Sequence, residues 1–234
     1  NAEFKSWNID EEVYSYTSKM KIALGRELSW ETDDIALQNI QARSRSPIIW
    51  MMANIKNALL ITTSNRSEAS VGYATMDGDT SGSISPIAGI DKTFLRKWLI
   101  WSEMHGPLDG HQMAGLHRVN SLEPSAELRP LGSHQVDEED LMPYPILNDL
   151  ERLAFYDRKS PEECQKLIIE MYQSKFSKDQ LIEFTHRFYR LWARNQWKRE
   201  RYAPGFHVDD YSLDPKSWLR FPILSAGLEK DLPA

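Results

Sequence analysis

Ala58-Leu59-Leu60-Ile61-Thr62-Thr63-Ser64-Asn65-Arg66-Ser67-Glu68 is the stretch on which the fold turns. Its first six residues form a continuous apolar run that ends in threonines, the clearest strand signal in the chain. A run without polar alternation is expected to be buried on both faces, which points to a parallel sheet. In open parallel sheets, ligands bind beyond the carboxyl ends of the strands. Residues 63–68 stand at that end and are dense in hydroxyl, amide, guanidinium and carboxylate groups. Such a cluster can hold a nucleotide and, through Glu68, a hard cation such as Mg²⁺. It can equally be a polar loop whose Ser64 or Asn65 caps the next helix. Spacing alone leaves both readings open.

Upstream of this stretch, helical spacing over residues 11–24 places Val13, Tyr16, Met20 and Leu24 on one face, and Gly25 ends the run. Residues 4–10 read as a short strand end. A second helix starts near Asp33 and carries Ile35, Leu37, Ile40 and Ala42, with Pro47 kinking or restarting it before residues 48–55. Downstream, residues 64–90 are polar and punctuated by glycines. Asp91 then caps an amphipathic helix through Phe94, Leu95, Trp98, Leu99 and Trp101. A further helix is expected between residue 111 and Pro124, followed by an acidic patch at residues 137–140. Helices are expected near residues 145–156, 160–172 and 178–197, before a Pro-interrupted aromatic tail from Tyr202. One clear strand among this many helices is too few for a self-sufficient sheet. Its partner strands are therefore expected upstream of residue 1. The start at Asn1-Ala2-Glu3, with neither Met nor a targeting segment, fits a piece of a longer chain.

Several features could carry chemistry. Asn39 lies one turn before Arg43 on the same helix face, with Arg45 two residues on, a set able to grip a polar or anionic ligand. The alternative is a solvated helix face. Asp77-Gly-Asp79-Thr-Ser81-Gly82-Ser-Ile84 matches the opening of an EF-hand loop, but its twelfth position is Ala88 instead of Glu, and calcium is rejected. Arg187, Arg190, Arg194, Lys198 and Arg201, spaced 3, 4, 4 and 3 apart, draw one basic stripe. Like charges on one face repel, so the stripe calls either for an anionic partner or for neutralisation by the acidic patch. The histidines never fall at i, i+4, the spacing of a helical zinc site, and zinc is not expected. No Walker A, G-x-S-x-G or G-x-G-x-x-G occurs.

Composition sets outer bounds. With 41% hydrophobic and 26% charged residues over 234 positions, the chain can bury a core and is not intrinsically disordered. A net charge of −6 argues against a general nucleic-acid binder. No apolar run approaches the ~18–20 residues of a membrane span. The single Cys164 excludes a disulfide scaffold and leans towards a reducing compartment; a packed helix position is its expected role.

Blocks of this sequence resemble the NAD⁺ synthetase family, most closely its long glutamine-dependent bacterial form. They are Asn39-Ile-Gln-Ala-Arg43-Ser-Arg45, Thr62-Thr63-Ser64-Asn65-Arg66-Ser67-Glu68, Gly72-Tyr73-Ala74-Thr75-Met76-Asp77-Gly78-Asp79 and Pro86-Ile-Ala-Gly-Ile-Asp91-Lys92-Thr93. Pro124-Ser125-Ala-Glu-Leu-Arg-Pro130, Asp137-Glu-Glu-Asp-Leu-Met-Pro-Tyr144 and Asn195-Gln-Trp-Lys198-Arg-Glu-Arg201 continue it, and the likeness runs from about residue 26 to residue 227. The resemblance implies ATP-dependent amidation of deamido-NAD⁺ through an adenylated nicotinate, with ammonia drawn from glutamine. It implies an α/β fold of the adenine nucleotide alpha hydrolase type, the PP-loop ATP pyrophosphatases, with a parallel sheet and flanking helices. That fold is expected to be incomplete and helix-rich here, with residues 1–234 forming the carboxy-terminal part of the synthetase domain. Residue by residue, it implies ATP contacts at Thr63, Lys92 and Ser125, with Lys92 on the phosphates, and Mg²⁺ and substrate contact at Glu68. Deamido-NAD⁺ contacts fall at Asn39 and Arg43, in a neighbouring subunit if the helix reaches that far. Tyr73, Ala74, Thr75 and Met76 match the substrate loop, and Lys198 a late lysine at the same ligand. A cytoplasmic homo-oligomer, with a glutaminase domain in the same polypeptide, is the implied setting. The family's Ser-Gly-Gly-x-Asp-Ser phosphate loop and the nitrilase-like glutaminase residues are not among these 234 positions. Two alternatives stay open: a binding and assembly fragment without catalysis, and another amidotransferase or thiolating ligase of the same superfamily.

Overall fold

The computed structural model describes residues 3–107, 110–130, 132 and 135–220. His134 and the end of the family resemblance, 221–227, lie outside the described residues. The chain runs α1 (Asp10–Leu24), α2 (Asp34–Ser44), α3 (Ser46–Lys56), α4 (Arg66–Val71) and α5 (Lys92–His105). Then follow a 3₁₀ turn (Ala114–Leu116), α6 (His117–Asn120), α7 (Asp137–Asp140), α8 (Tyr144–Glu151) continued by a π turn (Arg152–Tyr156), α9 (Pro161–Tyr172), α10 (Lys178–Asn195) and a second 3₁₀ turn (Gln196–Arg201).

The helix boundaries have local causes. Gly25 takes the left-handed conformation that stops α1, and Pro47 sits in the first turn of α3, which makes it a restart of the helix, one of the two readings the sequence offered. α9 and α10 open on reciprocal capping boxes, Ser160 with Glu163 and Ser177 with Gln180. The helix expected between residue 111 and Pro124 is reduced to the short turns Ala114–Leu116 and His117–Asn120. Residues 3–9 carry no strand and lead directly into α1.

The core lies among α8, α9, α10 and the end of α4. Leu147, Leu150, Cys164, Ile168, Leu181 and Phe188 are fully buried there, with Phe155 tilted against Trp192 at 4.2 Å between ring centroids. Burial pushes the Cys164 thiol up, which suits an unreactive core position.

The expected parallel sheet does not form among the described residues. Residues 58–63 carry one isolated parallel bridge, Ile61 to Ile84, and a second joins Ser85 to Gly205. Backbone bonds from Ser83 N to Leu60 O (2.7 Å) and Thr62 N to Ile84 O (3.0 Å) run along one edge only. Burial on both faces is likewise absent: Leu59 is 72% exposed and Ile61 59%. The physical reason is direct. A two-sided apolar run stays wet until neighbouring strands and helices cover it, and the described residues cover only the face of Leu60 and Thr62.

Candidate functional site

The loop after the apolar run is held in place by a chain of short polar contacts. Asn65 caps α4: its Oδ1 accepts from Glu68 N at 3.0 Å, and its own N donates back to Glu68 Oε2 at 3.3 Å. Glu68 Oε1 then meets Lys92 Nζ at 3.0 Å, and the two side chains are about one-fifth exposed. Lys92 opens α5, whose cap Asp91 accepts from Phe94 N at 2.7 Å. Lys92 N donates to Ser67 Oγ at 2.9 Å, and Ser67 Oγ donates to Asn148 Oδ1 at 2.6 Å. The capping reading of Asn65 and the ligand-facing reading of Glu68 are thus compatible, because one carboxylate serves both.

A second loop, residues 72–79, forms the opposite wall. Gly72 has φ +63°, and a Cβ there would lie 2.4 Å from Asn195 Cβ, so neither conformation nor space tolerates a larger residue. Lys198 Nζ donates to the carbonyls of Gly72 and Ala74, each at 2.9 Å. Desolvation, with Arg194 nearby, holds the Lys198 pKa below the ordinary lysine value. Thr75 Oγ1 donates to Asn39 Oδ1 at 2.9 Å, and Thr75 N donates to Asp79 Oδ2 at 2.6 Å. Arg43 Nε donates to Met76 O at 3.0 Å. Tyr73 OH donates to Asp140 Oδ2 at 3.0 Å, and burial beside Asp137 and Asp140 pushes its pKa up, so the phenol stays neutral.

Between these walls lies a cavity of about 520 Å³, within the ordinary size of a small-molecule site. Asn39, Thr63, Glu68, Tyr73, Ala74, Thr75, Lys92, Ser125 and Lys198 all line it. Residues up to 159 positions apart in sequence therefore face one space. Arg43 and Met76 do not line it. Arg43, expected at the ligand, donates its Nε to the Met76 carbonyl within the same chain. Arg45, just past the end of α2, takes a place on the cavity wall.

Sequence reasoning missed four polar lining residues: Gln38, Asp79, Asp137 and Asn195. Asp79 lay inside the glycine-rich block, first noticed as an apparent calcium-loop position. Asp137 stood in the acidic patch and was weighed only against the basic stripe, and Asn195 opened its block without a chemical pattern to mark it.

The basic stripe is broken up. α10 ends at Asn195, so Lys198 and Arg201 sit on the following 3₁₀ turn. Arg187 Nη1 donates to Leu141 O at 2.7 Å, Arg201 reaches Asp77 at 2.7 Å, and Arg190 stands 3.6 Å from Glu183. The Asp137–Asp140 carboxylates do not neutralise the stripe. Asp137 accepts from Tyr144 OH at 2.9 Å and Asp140 from Tyr73.

For Mg²⁺, the donor set is suitable but spare. No group of three or more His, Cys, Asp or Glu is placed to hold a metal ion among the described residues. Mg²⁺ characteristically needs only one or two protein carboxylates and takes its remaining oxygens from phosphates and water. Glu68 and Asp79 on the cavity wall meet that requirement. No helix among the described residues is long and apolar enough to cross a membrane.

Comparison with known proteins gives this geometry a context. A family model described as NAD synthase matches residues 1–200. The glutamine-dependent NAD(+) synthetase of Xylella fastidiosa is 31% identical over 204 residues, covering 87% of this chain and 34% of that protein. The Aquifex aeolicus protein of the same name is 38% identical over 138 residues, covering 59% and 23%. A solved glutamine-dependent NAD(+) synthetase from Cytophaga hutchinsonii superposes with a TM-score of 0.83 at 49% identity, covering 99% of this chain and 35% of that one. An NMN synthetase structure from Francisella tularensis shares the fold, with a TM-score of 0.57 at 20% identity. The chain spans about a third of the length of the curated relatives it matches.

Proposed function

The chain belongs to the NAD synthase family, and on that premise we propose that it supplies the carboxy-terminal part of the ligase domain of a glutamine-dependent NAD⁺ synthetase. The observation that carries the reading is the single cavity of about 520 Å³ lined by Glu68, Lys92, Ser125, Lys198 and the loop from Tyr73 to Thr75. Those are residues the family resemblance assigns to ATP and deamido-NAD⁺, brought together from separate blocks of sequence.

In the proposed reaction a nicotinate carboxylate oxygen attacks the α-phosphorus of ATP, the bond to pyrophosphate breaks, and an acyl adenylate forms. Ammonia then attacks the acyl carbon, AMP leaves, and the amide nitrogen loses a proton. Negative charge grows on the phosphate oxygens in the first step. Lys92, presented at the start of α5 and oriented by Glu68, is the group that lowers that barrier. Its ammonium can exchange the carboxylate for a phosphate oxygen without leaving the wall. Lys198 acts on the other side. By gripping the Gly72 and Ala74 carbonyls it holds the substrate loop, and Asn39 and Arg43 fix the same loop from α2. Mg²⁺, held through Glu68 and Asp79, would supply charge neutralisation on the departing pyrophosphate. The apolar run at residues 58–63, with its exposed edge, is proposed to enter a parallel sheet completed by neighbouring strands of the full synthetase.

The test is a chimera in which this chain replaces the corresponding third of the Cytophaga hutchinsonii synthetase, given ATP, Mg²⁺, deamido-NAD⁺ and ammonia. NAD⁺ with stoichiometric pyrophosphate supports the reading. A folded chimera that makes neither overturns it, and synthesis from xanthylate or aspartate instead would move the chain to another ligase of the superfamily. Lys92→Ala in that chimera is expected to lower kcat by roughly 10²–10³, and unchanged kcat removes Lys92 from the chemistry.

A further inference from the structure

Lys92 stands on the cavity wall, yet its place is set by atoms outside the cavity. The first amide hydrogens of a helix have no partner within it. In α5 the Lys92 N–H goes to Ser67 Oγ at 2.9 Å and the Phe94 N–H to Asp91 Oδ1 at 2.7 Å. Three consecutive residues of α4 hold this start. Arg66 Nη2 meets Asp91 Oδ2 at 3.4 Å, Ser67 Oγ takes the Lys92 N–H, and Glu68 Oε1 meets Lys92 Nζ at 3.0 Å.

One side chain joins both sides of this contact. Asn148, half-buried on α8, accepts from Ser67 Oγ through its Oδ1 at 2.6 Å. Its Nδ2 donates to Asp91 Oδ1 at 2.9 Å and to Thr93 Oγ1 at 2.6 Å. A serine hydroxyl has one proton to give. Asn148 takes that proton, which leaves the Ser67 oxygen as an acceptor for Lys92 N. Tyr144 stands one turn before Asn148 on α8, and its ring centroid lies 5.7 Å from Lys92 Nζ. One face of α8 thus addresses both the backbone and the ammonium of this lysine. Neither Asn148, Ser67, Asp91 nor Thr93 lines the cavity.

We propose that Asn148 is a positioning residue for the ligase reaction, one that fixes the first turn of α5 against α4 so that the Lys92 ammonium meets the phosphates in register. What Lys92 does there rests on the ligase reading; what Asn148 holds rests on the hydrogen bonds alone. An amide suits all three partners at once, because it offers an acceptor to one hydroxyl and two N–H groups to a carboxylate and a second hydroxyl. A carboxylate at 148 would set a second negative charge against Asp91, and an apolar side chain would fill the space and make none of the bonds. A transition-state contact is sensitive to small displacements, and a shift of about 1 Å from a change outside the site can cost 10²-fold in rate. Release of the α5 start would let Lys92 move on that scale.

The experiment compares four forms of the chimera with the Cytophaga hutchinsonii synthetase: unaltered, N148A, K92A and N148A/K92A. N148A is expected to lower kcat by roughly 10- to 100-fold, with the KM for ATP changed by less than about twofold, as for a contact made in the transition state. In the K92A background the same substitution is expected to change kcat by less than about twofold, because a residue that acts through Lys92 has nothing left to act on. Equal losses in the two backgrounds would mark a merely structural role and overturn the proposal, as would an unchanged kcat in N148A. Hydrogen exchange at the Lys92 amide gives a readout without turnover. It is expected to quicken about tenfold in N148A, the scale of one hydrogen bond, while the Ile168 amide in α9 keeps its rate. An unmoved Lys92 amide, or a parallel rise at Ile168, overturns the role of Asn148. An unaltered chimera that makes no NAD⁺ while its N148A form shows the quickened amide overturns the ligase reading instead.

Discussion

α1 and α10 are both long helices rich in apolar and aromatic residues, yet they end in opposite environments. α10 buries Leu181, Thr185, Phe188, Tyr189 and Trp192, whereas α1 buries nothing, leaving Tyr14 74% and Ile22 82% exposed. α10 keeps its apolar residues on one stripe and meets α9, α8 and α4 along it. In α1 the face of Val13, Tyr16, Met20 and Leu24 is joined by Tyr14 and Ile22 on other faces, and the helix rests along α2 alone of the major contacts. The difference teaches that apolar content does not predict burial; a stripe does, provided a neighbour offers a matching one. It also divides the described residues into a packed half around α8, α9 and α10 and an outer half that is chiefly surface.

The largest effect that tests this division is in the packed half. Phe188→Ala should lower unfolding free energy by about 3–5 kcal/mol, measured by urea denaturation, because it opens a void against Phe155 and Tyr189. A loss below about 1 kcal/mol would mean that the half is loosely packed. At the border between the halves, Asn65→Ala removes the cap of α4 and should cost about 1 kcal/mol. Because the same box orients Glu68, it should also weaken nucleotide binding by the chimera, and a cost without that binding loss would separate capping from the site.

In the outer half the effects shrink. Arg26 clasps Asp33 through two contacts of 2.7 and 2.8 Å. That guanidinium, joined by the Ser29 amide, holds the Asp33 carboxyl far below the usual carboxylate range. The folded pKa is thus depressed relative to the unfolded one. The clasp therefore contributes fully above about pH 4 and is lost as pH falls towards the depressed value. Amide protection at Ser29 should decline only in that acid window, and a decline beginning near neutral pH would break the assignment. Smallest of all, Ile22→Ala should shift stability by no more than about 0.5 kcal/mol, since little of the side chain leaves water on folding. A larger loss would reveal a partner on α1.

Much of the helical framework was legible because its signals are local. The stop at Gly25, the restart at Pro47 and the cap at Asp91 act within one turn. The parallel sheet expected at residues 58–63 is not formed among the described residues for the converse reason. A strand is a pairing relation, and its sequence pattern describes only what the chain could pair with. The basic stripe failed similarly, because it assumed α10 continued unbroken past Asn195, where the chain tightens into a 3₁₀ turn. Within the site, blocks of sequence supplied the candidates. Nothing in them indicated that Arg43 would turn towards Met76 while Arg45 reached the cavity, because that choice depends on where the loop at residues 72–79 lies against α2.

What this amino-acid sequence determined by itself is the stop at Gly25, the restart at Pro47, the cap at Asp91, the family and most of the polar residues of the cavity, all of which depend on short stretches of chain or on matched motifs. Tertiary structure decided which of those residues share a cavity, which apolar faces are covered, and that Arg66 meets Asp91, Glu151 and Asp209. The physical reason is the same in each case. Burial and hydrogen-bond completion are properties of groups far apart in sequence, and a charge or an apolar side chain acquires its role only when the fold determines what stands opposite it.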